Sequence, residues 1–219
     1  DFIDEKFVPD NILPKKLEVI NRMLSPSVSL DKDGNTTAIA IIPDLITREL
    51  QIKHGWTHLY SIPRIWTLKN GEISQIPHPS LVKLRDSLNV FEKVNVKSSS
   101  NLKIGKGHQL EIIADISTSQ SDKFGFYIGK NRNNNEETKI YFELQKNQLV
   151  IDQTNSSRTE SIEKRIEIGD LNLGINKTIK IHLFIDGSVV EGFINNKEAF
   201  TTRIFPKYRN SNEGWIFFF

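Results

Sequence analysis

The chain has 219 residues, 37% hydrophobic and 26% charged, with 13 Phe, 4 Tyr and 3 Trp, which gives it ample surface to bury and excludes wholesale disorder. Twenty-nine basic residues balance 27 acidic ones to a formal charge of +2, scattered along the chain, so neither nucleic acid nor an anionic membrane is expected as a partner. The absence of cysteine removes disulfides, thiolate metal sites and cysteine nucleophiles, and no run approaches the roughly eighteen apolar residues of a membrane span.

The chain opens Asp1-Phe2-Ile3, with neither an initiator Met nor a basic, apolar leader, and reads as a processed protein or a piece of a longer one. Leu30–Asn35 forms a turn between Ser27–Leu30 and the apolar run Thr37–Ile42. After Pro43-Asp44 comes a short polar stretch able to form helix, then a strand at Thr57–Ile62. Trp66-Thr67-Leu68 and Glu72–Gln75 make a hairpin across Lys69-Asn70-Gly71. Pro77-His78-Pro79 breaks the chain, and Ser80 is placed to cap a brief helical turn. A boundary falls near Asp86–Leu88.

Beyond it, strands are expected at Leu110–Ile116, Phe124–Gly129, Lys139–Leu144, Gln148–Asp152, Thr178–Ile185, Val189–Ile194, Ala199–Phe205 and Trp215–Phe219, with Asn131–Glu137 a polar loop. Alternation puts Ile179, Ile181, Leu183 and Ile185 on one face. Asp186-Gly187 signals a type I′ hairpin, Asn195-Asn196-Lys197 closes the next, and Lys146-Asn147 an earlier one. Eight such strands without helices indicate an antiparallel β-sandwich. The first segment holds about four strands, the content of one propeller blade, and such a sheet cannot bury its faces alone.

Two stretches carry a family resemblance. Gly55-Trp56-Thr57-His58-Leu59-Tyr60-Ser61-Ile62-Pro63-Arg64 resembles a Gly-Trp-Ala-x-x-x-Ser-Leu-Pro-Arg segment of glycoside hydrolase family 32, the β-fructosidases that include invertases, levanases and inulinases. Asp33–Asp44 is similar to a strand written Gly-Arg-Arg-x-x-Ile-Gly, although Asn35 and Thr36 replace basic residues and Ile41-Ile42 stands for a Gly-Trp pair. Gln75–Pro79 with Leu84-Arg85 resembles the family's junction. The second stretch, Phe184–Asn196 with Thr201–Pro206, is similar to a hairpin Asp-x-Ser-x-x-Glu-x-Phe-x-Asn-x-Gly and an Arg-Ile-Tyr-Pro strand. It matches at Asp186, Ser188, Glu191, Phe193 and Arg203, with Gly187 in the turn and Gly192 in place of a β-branched residue.

The resemblance implies an all-β chain whose residues 1–86 are the last blade of a five-bladed propeller plus a linker. Residues 87–219 would be a β-sandwich that stops short of the family's last strands, leaving Trp215–Phe219 in need of a covering strand. Family members are retaining glycosidases, whose two carboxyl groups lie about 5–5.5 Å apart. The motifs that carry these groups, Asn-Asp-Pro-Asn-Gly, Arg-Asp-Pro and Glu-Cys, do not occur in this sequence. No catalytic residue and no cofactor are therefore assigned here. The expected partners are the remaining propeller of a parent enzyme, through it sucrose or a fructan, and a possible second copy of the chain. An extracellular or periplasmic location is read in preference to a cytoplasmic one. A stand-alone carbohydrate-binding or lectin-like sandwich is the alternative, and a non-binding structural module a third reading.

The residues that could do chemistry have plainer readings beside the functional ones. Asp186, Glu191 and Asp44 are the candidates for paired acids, but turn formation and a local hydrogen bond account for the hairpin pair. His54 and His58 have a metal-like spacing without a third ligand. Ser61 and Ser188 lack a nucleophile elbow, and Gly105-Lys106-Gly107 reads as a turn. Trp56, Tyr60 and Trp66 are candidates for stacking on sugar rings, although aromatics in such a sheet are more often core. Sequons occur at Asn35, Asn155 and Asn176.

Overall fold

A computed structural model describes residues 2–8, 15–97, 100–117, 121–173 and 178–218. The sequon at Asn176 and the terminal Phe219 fall outside these. The strands run β1 (Phe2–Ile3), β2 (Lys6–Phe7), β3 (Leu24–Leu30), β4 (Thr36–Ile42), β5 (Leu59–Tyr60), β6 (Arg64–Lys69), β7 (Glu72–Pro77), β8 (Asn101–Lys106), β9 (Gln109–Ser117), β10 (Lys123–Asn131), β11 (Glu136–Glu143), β12 (Gln148–Asp152), β13 (Ile166–Asp170), β14 (Thr178–Asp186), β15 (Val189–Ile194), β16 (Glu198–Arg203) and β17 (Glu213–Phe218). A helix α1 (Arg48–His54) and a 3₁₀ turn, Pro79–Leu84, complete the set.

Two antiparallel sheets face each other as the sandwich, in the orders β13-β12-β11-β10-β17-β8 and β16-β15-β14-β9. Between them lie Phe124, Phe126, Ile140 and Phe142 from one sheet and Ile179, Ile181, Leu183, Ile185 and Phe200 from the other. The inward set of β14 is the one its alternation predicts. β17 sits between β10 and β8, so the terminal aromatic run finds both of its partner strands within this chain. A third sheet, β3-β4-β6-β7 with β5 on β4, stands beside the sandwich. Residues 17–20 run between them: Val19 donates its amide to Ala199 O, and Ile20 joins the sandwich core.

Several local expectations need correction. The strand expected at Thr57–Ile62 shrinks to two residues. His58 has φ 64°, and the Ser61 hydroxyl, rather than a carbonyl, accepts the Ala40 amide at 3.0 Å. Two strands beyond residue 100 were not foreseen, β8 and β13. In β13 the apolar Ile166 and Ile168 point to solvent and Gly169 lies against the Val19 backbone, which inverts the usual reading of alternation. Gly105 and Lys106 belong to β8, so the turn starts at Gly107. At the β14–β15 hairpin Asp186 pairs with Val189, which makes Gly187-Ser188 the central pair. Of these only Gly187 has positive φ, so the turn is not type I′. His78, not Ser80, caps the 3₁₀ turn. The loop around Asn131–Glu137 holds a fully buried acid, Glu136, which accepts the amides of Arg158 and Lys207 at 2.8 Å and the Ser211 hydroxyl at 2.5 Å.

Candidate functional site

The outward face of the β16-β15-β14-β9 sheet is where the two resemblance stretches meet. Pairing sets its rows: Thr201, Glu191, Phe184 and Glu111 lie side by side across the sheet, with Arg203 and Val189 in the row on one flank and Phe193, His182 and Ile113 in the row on the other. In an isolated sandwich this face would be solvated. Here the third sheet and the segment after it cover it, and an arginine–carboxylate pair stands at each of three places.

The central pair is Arg64 with Glu191. Arg64 ends the Pro63-Arg64 step into β6, and is 1% exposed, as is Glu191. Its Nη2 lies 2.5 Å and its Nε 3.2 Å from Glu191 Oε2, while the Ile62 amide donates to the other oxygen at 2.8 Å. Nη1 donates to Glu18 Oε1 at 2.7 Å and to Gln75 Oε1 at 3.0 Å, and Nη2 also donates to Thr201 Oγ1 at 2.8 Å. Thr201 in turn donates its hydroxyl to Glu18 Oε1 at 2.6 Å. The guanidinium also lies 5.0 Å from the Phe193 ring centre. Every donor of Arg64 is thus used, the condition under which a buried ion pair is tolerated.

The second pair joins Arg203, at the end of β16, to Asp44, in the loop after β4. Nη1 reaches Asp44 Oδ1 at 2.5 Å and Nη2 reaches Ser188 Oγ at 2.7 Å. The His58 amide donates to Asp44 Oδ2 at 2.8 Å, which the left-handed backbone at His58 makes possible. Burial pushes the Asp44 carboxyl up, but this amide and Arg203 outweigh it and hold the group below the usual range. The third pair is at the rim. Arg85, just past the 3₁₀ turn, grips Glu111 at 2.5 and 2.7 Å, and His182 Nε2 lies 2.7 Å from the same carboxylate. The junction is also tied at His78. Its Nδ1 accepts the Ser80 amide at 3.2 Å, so Nε2 carries the proton toward Asp31 Oδ2, 3.2 Å away. Asp31 is held at about 2, first by the Asn35 side chain and also by His78.

The residues singled out from the sequence therefore separate. Arg64, Glu191, Phe193, Ser188 and Arg203 gather in this joint. Pro63 contributes its carbonyl to the His78 amide at 2.9 Å. Gly55 ends α1 with φ 77°, and Asp186 stays at the hairpin, accepting from Gln109 at 3.3 Å. Glu191 does not make the local hydrogen bond expected of it: its partners are 127 and 129 residues away in sequence. Gln75 and Thr201 open two of the resembling stretches but were not singled out as site residues, and Glu18 lies in none of them, with no local pattern to mark it. Trp66 is tied through Nε1 to Gln75 Oε1 at 3.0 Å, whereas Trp56 and Tyr60 are 50% and 74% exposed. His54 stacks on Trp56 while His58 serves Asp44, so the two histidines do not converge.

Glu18 and Glu191 are a close pair of acids, as a glycosidase needs. Both, however, are occupied by a guanidinium and hydrogen-bond donors, and at 2% and 1% exposure neither can reach a sugar. The arrangement can hold two units together. It cannot donate a proton to a leaving group.

Residues 80–218 match the family model described as "Glycosyl hydrolases family 32 C terminal". Among curated proteins, the sucrose-6-phosphate hydrolase of Staphylococcus xylosus is 29% identical over 83% of this chain, and that of Vibrio alginolyticus 30% identical over 83%. These matches cover 36% and 34% of the relatives, so the chain spans about a third of their length. Among solved structures, fructan 1-exohydrolase IIa from Cichorium intybus aligns with 98% of the chain and 49% of its own, at a TM-score of 0.80 and 20% identity. That likeness establishes the shared fold.

Proposed function

The chain belongs to glycosyl hydrolase family 32, and from that membership we propose that it is the C-terminal part of a β-fructosidase acting on sucrose, a sucrose phosphate or a fructan. In this reading the β3-β4-β6-β7 sheet is the last blade of the catalytic propeller, and the sandwich braces it without entering the chemistry. The observation that carries the reading is the joint itself. Two buried arginine–carboxylate pairs, with a third at the rim, hold the third sheet and the segment after it on the sandwich, which a free-standing glycan-binding module does not need. A second feature agrees. Val28, Leu30, Leu68 and Ile73 share the face of the third sheet that holds Arg64, yet lie exposed at its far end. A neighbouring blade would cover them. Trp56 and Tyr60 remain the aromatics free to meet a sugar, while Trp66 is committed to the joint.

The test is a chimera in which this chain replaces the corresponding part of the Staphylococcus xylosus relative. It is expected to fold and to cleave sucrose 6-phosphate, while this chain alone releases no fructose from sucrose, sucrose 6-phosphate, inulin or levan. Fructose release by the chain alone, or a folded chimera without activity, would overturn the proposal.

A further inference from the structure

We propose that residues 86–92 are a processing site, where an endopeptidase with an apolar primary pocket cuts the chain and leaves its two halves joined without a covalent link. The segment leads from the 3₁₀ turn toward β8, and every residue from 86 to 95 is exposed. Leu88 is 82% exposed, more than any other large hydrophobic side chain among the described residues, with Val90 at 64% and Phe91 at 49%. Among the described residues, none from 86 to 96 makes a hydrogen bond or an ion pair. The anchors lie at either end: Arg85 holds Glu111, and Val96 packs on the sandwich core.

Cleavage inside a folded element waits for local opening, which must break hydrogen bonds. Here none has to break. Other long connections are pinned. Between β12 and β13 the Gln153 amide bonds Arg165 O and the Arg158 amide bonds Glu136. Between β16 and β17 the Ile204 amide bonds Ser188 O, and Lys207 and Ser211 are held at Glu136. Side chains set the specificity: Leu88 and Phe91 suit a hydrophobic slot of the chymotrypsin kind. Lys93, the basic alternative, sits at a bend with φ 50°, outside the extended region that a protease cleft receives. Hydrolysis adds one water across the Leu88–Asn89 or Phe91–Glu92 bond. The carbonyl carbon takes its oxygen and ends as a carboxylate, and the following nitrogen leaves as an ammonium.

The halves stay together because every tie of the joint has its two ends on opposite sides of the cut. Arg64 lies before it and Glu191 after it; Asp44 and Arg203, and Arg85 and Glu111, are divided in the same way. Two backbone bonds add to these, from the Val19 amide to Ala199 O at 2.8 Å and from the Gln75 amide to Lys197 O at 2.9 Å. Ile20, from the first half, is buried in the core of the second. What the linker supplies is effective concentration, on the order of millimolar for a short flexible connection. Once it is cut, the halves are two molecules, and their stability depends on how concentrated they are.

Limited digestion of the full chain with chymotrypsin, followed by intact-mass analysis, tests this. Cutting after Leu88 or Phe91 should come before any loss of the folded units. The nicked protein should elute as one species at the position of the uncut chain. Its melting temperature should rise with protein concentration, while that of the uncut chain does not. Replacing Leu88 and Phe91 together by Asp, at two exposed positions, should abolish the linker cut and leave the melting temperature of the uncut chain unchanged. A linker that outlasts the folded units, a linker cut as fast in the double variant, or halves that part on cutting would overturn the proposal.

Discussion

Replacing Arg64 with Met removes the charge and most of the polar contacts while keeping much of the side chain's length. Glu18 and Glu191 would then face each other at 1–2% exposure without a cation, and Gln75 and Thr201 would lose a donor each. Breaking a buried pair by removing one partner costs about 3–5 kcal/mol. Two stranded acids place this site toward the upper part of that range, tempered by the protonation they would undergo. For a chain of this size each kcal/mol lowers the melting temperature by roughly 2–4 °C, so the drop should be on the order of 10 °C. Thermal and urea unfolding followed by tryptophan fluorescence is a suitable assay, because Trp66 hangs from the same Gln75. The triple replacement of Glu18, Arg64 and Glu191 by Met should recover most of the loss, since a well-packed apolar cluster of similar volume carries no stranded charge. If Arg64→Met melted within about 2 °C of the parent, the claim that this pair holds the joint would fail.

Two other outcomes follow from geometry. A Cβ at Gly192 would overlap the Phe200 ring and fall 2.8 Å from Leu183 Cδ2, so Gly192→Ala should cost about 1–3 kcal/mol as an overpacking substitution. Pairing it with Phe200→Leu should cost less than the sum of the two changes, read as coupling in a double-mutant cycle; strict additivity would contradict the contact. Burial holds the His182 imidazole below its ordinary value, against the pull of Glu111. Its contribution is therefore complete above the unfolded histidine value of about 6.5 and falls away as pH drops below it. His182→Gln should flatten that part of a stability-versus-pH curve, and an unchanged slope would show that another group is responsible.

The sandwich was legible because its strands obey local rules. The alternation of Thr178–Ile185 fixes which face meets the core, and asparagines at the tips supply the positive φ that the hairpins need. The joint was legible only as two unconnected stretches, one ending in Arg64 and one containing Glu191. Nothing local says that residues 127 apart become partners. Glu191 illustrates the difficulty. Alternation puts it opposite the sandwich core, the side that ordinarily meets solvent, and only a second layer turns it into a buried group. Glu18 is harder still, an acid before Val19-Ile20 with no periodic pattern around it. Glu136 and β13 escaped for a related reason: the loop packed on Glu136 and the segment laid over Gly169 are distant in sequence.

An apolar interface could have joined the sheets with comparable stability, because the desolvation of a buried ion pair offsets most of its attraction. What arginine adds is a fixed register. Sliding the third sheet by one residue, about 3.3 Å along the outer face of β15, would leave Arg64 between Glu191 and the next outward side chain. A shift of two would present it to Val189 or Phe193 and strand Glu191. Arg203, in the flanking row, and Arg85, at the rim, each hold a different carboxylate, Asp44 and Glu111. The two buried pairs, Arg64–Glu191 and Arg203–Asp44, are satisfied together in one placement, so an alternative docking strands a buried charge at both. In the proposed reading, where the third sheet is the last blade of a catalytic propeller, a support that resists such sliding would hold that blade in place beside the reacting groups.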